Sequence, residues 1–203
     1  MGFALMDRQL DIPPGAKNFQ VTDEFELPID VQIIGVTPHA HLLGQTMKAW
    51  ATTPEGKVVP LIKINNWNFD WQEQYLYEKP LHLPKGTRIQ MVFTYDNSSG
   101  NPSNPNNPPK RVRWGEQTTD EMAILFVTAV PQRMTDLAVL QRANAIKMAR
   151  SFSSDPEAIR ELVQQQLLSR FDKDGDGKLS PSERREALQA IRQQMQERRE
   201  GKE

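Results

Sequence analysis

The chain has 203 residues, no cysteine, three histidines and a formal net charge of −1. Near-neutrality removes the electrostatic case for nucleic acid or an anionic membrane as partner, and the missing cysteines exclude disulfides, thiol nucleophiles and thiolate metal sites together. No apolar run is long enough to span a bilayer, and Met1 to Leu10 carries Asp7 and Arg8 instead of a signal-peptide core, so the start reads as that of a fragment or a mature form.

Strand signals occupy the chain up to Pro131. Phe25, Leu27, Ile29, Val31 and Ile33 alternate with mostly polar residues and predict one buried sheet face. Gln45 to Thr53 and Val58 to Ile64 flank Pro54-Glu55-Gly56-Lys57, a hairpin turn by composition. Ile89, Met91, Phe93 and Tyr95 alternate again, and Ala123 to Val130 is a continuous apolar run suited to a central strand. Asn97 to Lys110 is a Pro- and Asn-rich loop, either a surface excursion or a functional segment. Trp67 and Trp71 are expected to pack the sheets, and His82, flanked by leucines, reads as a satisfied strand histidine. Short strands separated by turns favour a mainly β fold, an antiparallel, jelly-roll-like β-sandwich.

Helical spacing takes over after Pro131. Val139, Ala143 and Ile146 share a face in the segment from Thr135 to Arg150. Ser154 and Glu157 form a capping box ahead of Ile159, Leu162, Val163, Leu167 and Phe171. The twelve residues Asp172 to Glu183 then match a calcium-binding EF-hand loop. Asp172, Asp174 and Asp176 offer oxygens at positions one, three and five, Lys178 its carbonyl at seven, Ser180 a ligand at nine, and Glu183 a bidentate carboxylate at twelve. Calcium takes about six to eight hard oxygens, and carboxylates this close repel one another without a cation. Ser180 and Glu183 also cap an exit helix carrying Leu188, Ile191 and Met195. The hand is alone in the sequence: no second loop is found to pair with Leu179, so it is expected to bind weakly or to pair with another chain. The reading divides the chain into a β-sandwich over 1–131, a helical connector over 132–153 and an EF-hand helix–loop–helix over 154–203.

His39 and His41 stand two apart in Pro-His-Ala-His-Leu-Leu-Gly. In an extended segment they face one side, about 7 Å apart at Cα, from where two imidazoles can converge on one metal ion. His-x-His alone is a weak signal with an equally ordinary structural explanation. The runs PHAHLLGQTMKAW, NWNFDWQEQY and YDNSSGNPSNPNNPPKRVRWGEQTTDEM together resemble the C-terminal domain of the copper type II, ascorbate-dependent monooxygenases, the family of dopamine β-monooxygenase and peptidylglycine α-hydroxylating monooxygenase, with bacterial relatives nearest. The resemblance covers roughly Asp11 to Val130. It implies one copper per chain, held by His39, His41 and Met122, a soft thioether beside two imidazoles. From the residues alone Met122 would be an ordinary core methionine.

The resemblance implies dioxygen binding and hydroxylation of a C–H bond in a small-molecule or peptide substrate, with ascorbate or another one-electron donor as reductant. Family enzymes carry a second copper on three histidines of a preceding domain. Only His82 remains here, so the expected partner is that missing N-terminal copper domain, and the isolated chain is expected to turn over poorly. The alternative is a non-catalytic copper- and calcium-binding interaction module; a calcium sensor is a weaker third. Copper with one calcium per chain implies a periplasmic or extracellular setting.

Overall fold

The computed structural model describes residues 2–152, 171–174, 178, 180–183 and 185–186. Ten strands precede one long helix: β1 (Gly2–Met6), β2 (Asp11–Ile12), β3 (Phe19–Glu26), β4 (Val31–His39), β5 (Gly44–Thr52), β6 (Val58–Ile64), β7 (Tyr75–Leu83), β8 (Arg88–Tyr95), β9 (Val112–Arg113), β10 (Ile124–Pro131) and α1 (Leu137–Phe152), the last entered through a 3-10 turn, Met134–Asp136. The long strands form two four-stranded antiparallel sheets, ordered β1-β10-β4-β7 and β3-β8-β5-β6, with β2 and β9 as a separate pair.

Period-two patterning builds one core between the sheets. Ile89, Met91, Phe93 and Tyr95 of β8, Met47, Ala49 and Ala51 of β5, and Leu125, Val127 and Ala129 of β10 all point into the same hydrophobic cluster. The apolar run at Ala123 to Val130 is the central strand its composition predicts, since β10 lies between β1 and β4. The hairpin also forms as expected: Gly56, at φ +83°, donates its N–H to the Thr53 carbonyl.

The alternation from Phe25 to Ile33 is not one strand. Residues Phe25, Leu27, Ile29, Val31 and Ile33 are all buried, but β3 ends at Glu26 and β4, in the other sheet, begins at Val31. Leu27 bridges the gap by pairing its N–H with the Thr87 carbonyl and its carbonyl with the Gly86 N–H. Both sheets need apolar residues at this corner, so burial continues while the strand does not.

A second departure decides which way β4 presents its last residues. Ile33 pairs with Ala129 and Gly35 with Thr128, which leaves Ile34 as an extra residue in β4. The bulge shifts the inward positions from Val31 and Ile33 to Val36 and Pro38. His39, which unbroken alternation would have turned into the core, therefore lies on the outer face, opposite Ile124. Gly35 allows the bulge: a Cβ there would collide with the Tyr75 carbonyl of β7.

The loop from Asn97 to Lys110 packs on itself. Asn97 is fully buried and its amide donates to the carbonyls of Ile12, Pro13 and Lys110, while Asn104 donates to Asn97 Oδ1. Trp71, expected to pack the sheets, is 67% exposed; Trp67 does pack against the core.

The chain divides into two compact units, Met1–Ser151 and Phe152–Glu203. In the first, α1 turns only part of the face its spacing predicts inward, since Ala143 packs on the core while the flanking positions do not. Val139 and Ile146 are exposed, and Leu140 with Ala143 joins the core. In the second, residues 171, 181–183 and 185–186 are helical. The expected Ser154/Glu157 box, Asp176, Leu179 and the apolar face at Leu188, Ile191 and Met195 lie outside the described residues. Among the described residues no helix is long and apolar enough to cross a membrane.

Burial at Leu140 implies that α1 contributes to the stability of the β core. Leu140→Ala should cost about 2–5 kcal/mol in urea unfolding, whereas Val139→Ala, on the exposed side, should fall within about 0.5 kcal/mol of the parent.

Candidate metal centre

His39 ends β4, and His41 follows in the turn to β5. Their rings stand edge to face with centroids 5.1 Å apart. Each ring is held by its Nδ1. His39 Nδ1 is 2.6 Å from Gln72 Oε1, and Gln72 is itself oriented because its Nε2 donates to the Phe69 carbonyl. His41 Nδ1 is 3.1 Å from the Asp120 carbonyl. Both partners are acceptors, so each Nδ1 carries the proton and each Nε2 keeps its lone pair. This arrangement, with an outer acceptor fixing tautomer and ring angle, is how metal-binding histidines are commonly held. Burial lowers the His39 pKa, and its neighbour His41 works in the same direction against the Gln72 hydrogen bond. The neutral, ligating imidazole is thereby favoured.

The loop between β6 and β7 wraps the pair. Phe69 packs edge to face on His41 at 5.8 Å, and Trp67 Nε1 donates to the His41 carbonyl. Gly44 makes room for Trp67, since a Cβ there would lie 2.6 Å from the indole.

A buried carboxylate joins the two halves of the site. Glu121 has no exposed surface. Its Oε1 accepts the N–H of His41 and the N–H of Met122, and its Oε2 accepts the N–H of Leu43. Burial pushes the Glu121 pKa up to about 7, against the pull of these three N–H donors. Tyr95 fixes the same segment by donating its hydroxyl to the Met122 carbonyl at 2.8 Å, its own pKa raised first by burial and then by Glu121.

The backbones of His41 and Met122 thus meet on one carboxylate oxygen, although 81 positions separate them in the sequence. The Met122 side chain is half-buried and packs against a small apolar cluster of Ala4, Met6 and Ile124. Ile124 is the register partner of His39. His82 pairs with Gln32, at the far end of the β4–β7 ladder from His39, and is exposed.

Gln72, Glu121 and Tyr95 are the residues that sequence reasoning did not assign. Gln72 and Glu121 sit inside runs quoted above, but nothing in their spacing says that they face the histidines.

In the second unit, carboxylate oxygens of Asp172, Asp174 and Glu183 lie within 4.8 Å of one another. The Glu183 carboxylate accepts the Lys173 N–H, the Ser180 hydroxyl and the Ser180 N–H, and these hold its pKa down at about 2. Ser180 and Glu183 form the reciprocal capping pair that their spacing predicts.

The Glu121 clamp yields a mutational test. In Glu121→Gln the amide cannot accept all three N–H groups, so one buried donor is orphaned at a cost of about 1–3 kcal/mol in unfolding. Metal affinity should fall roughly 10–100-fold, the usual effect of losing an outer-shell partner. Unfolding and metal titration indistinguishable from the parent would refute the clamp.

Over 65% of its length the chain is similar to a chain in the structure of infectious bursal disease virus Gx strain, at 11% identity and a TM-score of 0.30, covering 32% of that chain. Over 64% it is similar to the infectious bursal disease virus VP2 subviral particle, at 12% identity and a TM-score of 0.31, covering 33% of that chain. It spans about a third of the length of each. Residues 1–151 match the family described as copper type II ascorbate-dependent monooxygenase, C-terminal domain, a match that includes both histidines, Glu121 and Met122, and the chain belongs to that family.

Proposed function

We propose that the first unit is the dioxygen-binding copper domain of a monooxygenase that hydroxylates a C–H bond, with copper held by His39 Nε2, His41 Nε2 and the Met122 thioether. The observation that carries this reading is the tethered histidine pair: two rings 5.1 Å apart, each with Nδ1 committed to an acceptor. Family membership makes copper and ascorbate the cofactor and reductant of choice. The donor set fits, since imidazole suits both oxidation states of copper and a thioether favours Cu(I).

Copper bound there would supply dioxygen activation and C–H hydroxylation, with electrons from ascorbate or another one-electron donor. The protein's part is positional. Gln72 and the Asp120 carbonyl keep both imidazoles in the ligating tautomer, Glu121 sets the distance between the His41 and Met122 segments, and Phe69 walls one side. His39 lies on the outer face of the β1-β10-β4-β7 sheet, where Phe126 of β10 and Leu76 of β7 are exposed.

The strand order supports a jelly-roll-like reading of the sandwich. Counting only the eight long strands, the sheets run 1-8-3-6 and 2-7-4-5. We further propose that Asp172, Asp174, Asp176, Lys178, Ser180 and Glu183 form an EF-hand calcium site, a structural appendage to the copper domain. The three clustered carboxylates support it. An extracellular or periplasmic setting, in which both ions are available, accords with this pairing, and an N-terminal copper domain would complete electron delivery.

Replacing Met122 by Ile should weaken Cu(I) binding far more than Cu(II) binding in anaerobic competition titrations; equal Cu(I) affinity would remove Met122 from the ligand set. In calorimetric titration, Glu183→Gln should abolish the calcium heat and leave copper uptake unchanged. Calcium binding equal to that of the parent would remove Glu183 from the site.

A further inference from the structure

The apolar cluster beside Met122 has an unusual composition. It consists of Ala4, Met6, Ile124, Trp114, Met122 and Met148, so half of its members are methionine. The large core between the sheets uses only Met47 and Met91 among some forty residues. The three thioethers come from three separate parts of the chain: Met6 from β1, Met122 from the segment leading into β10, and Met148 from α1.

One carboxylate brings the outer two together. Asp23 Oδ2 accepts the Met6 N–H at 2.8 Å and pairs with the Lys147 ammonium at 2.6 Å. Met148 follows Lys147 directly, so the ion pair that docks α1 also sets Met148 over the cluster. Met6 lies in a cross-strand row with Ile124 and His39 on the outer face of the sheet. Two strand spacings place Met6 about 10 Å from His39 at Cα.

We propose that Met6, Met122 and Met148 form a thioether subsite for a soft, monovalent d10 cation, Cu(I) being the natural occupant, which shares Met122 with the histidine pair. Thioethers are neutral and polarizable, and they select Cu(I) over hard divalent ions. An apolar wall suits an ion that needs few water ligands. Of the three methionines, Met6 also lines a cavity of about 650 Å³ that presents Asp7, Asp23, Glu24 and Glu26, against Lys147 and Arg150. Lys147 is already neutralised by Asp23, so the acidic excess favours entry of a cation. The subsite goes beyond the histidine site and depends on it only through Met122. An ion held there would be one side chain from His39 and His41, placed for transfer to them.

The test uses Ag(I), a redox-inert d10 probe, and the full chain labelled with 13C at the methionine methyl groups. It is run in the parent and in His39→Ala/His41→Ala, which removes the histidine site. In both, Ag(I) should shift the methyl resonances of Met6, Met122 and Met148 together. Met47 and Met91 in the core, and the exposed Met134, should stay unmoved. Retention of the shifts in the double-alanine chain separates this subsite from the histidine reading. No shift at Met6 and Met148, or an equal shift at Met134 at the same Ag(I) concentration, would overturn the proposal. In the His39→Ala/His41→Ala chain, where Met122 is left to the subsite alone, adding Met6→Leu/Met148→Leu, which conserves volume and so should fold, should lose the remaining equivalent of Cu(I). Unchanged Cu(I) stoichiometry would overturn it independently.

Discussion

The site depends on a buried carboxylate that must be satisfied. Glu121 has no exposed surface, and a carboxylate so placed costs several kcal/mol unless donors surround it. The donors are the backbone N–H groups of His41, Leu43 and Met122. These are the positions that the proposed ligand set, at the end of β4, in the turn to β5 and just ahead of β10, needs fixed. Local hydrogen bonding and long-range architecture therefore become one constraint. The chain cannot satisfy Glu121 without bringing the second histidine next to the methionine.

Around that clamp, each of the three proposed ligands is fixed by a neighbour outside the ligand set. Gln72 holds His39, the Asp120 carbonyl and Phe69 hold His41, and Tyr95 holds the Met122 backbone. Three of these come from loops and one from a core strand, so the rigidity comes from the packed sheets and the proposed chemistry from the loops at their rim. Loop residues positioned by a stiff scaffold are a common way to combine precision with access.

Much of this was legible in the sequence. The turn residues Pro54 to Lys57 marked the β5–β6 hairpin, alternation gave β8, the apolar run gave β10 as a central strand, and the histidine spacing pointed to a pair. The rest failed for identifiable reasons. The one buried sheet face expected from Phe25 to Ile33 divides between two sheets, because burial where the chain crosses from one to the other mimics continuous alternation. The outward turn of His39 depends on a bulge at Ile34, which no periodicity argument detects because one inserted residue reverses every later face. The face of α1 was only partly legible: Ala143 packs on the core as its spacing suggests, but Leu140, not Val139, fills the gap left by the sheets. Glu121 looked like part of a motif, yet nothing in sequence says that a glutamate will be buried by three backbone donors from two distant segments.

The central claim is that His39 and His41 bind one copper through Nε2, with both Nδ1 protons engaged. Pulsed electron paramagnetic resonance of the chain loaded with one equivalent of Cu(II) tests it most directly, because remote imidazole nitrogens modulate the echo. The account predicts two equivalent imidazoles, reduced to one in His39→Ala or in His41→Ala and unaffected in His82→Ala. A spectrum that survives either of the first two substitutions, or that changes with His82, would contradict it.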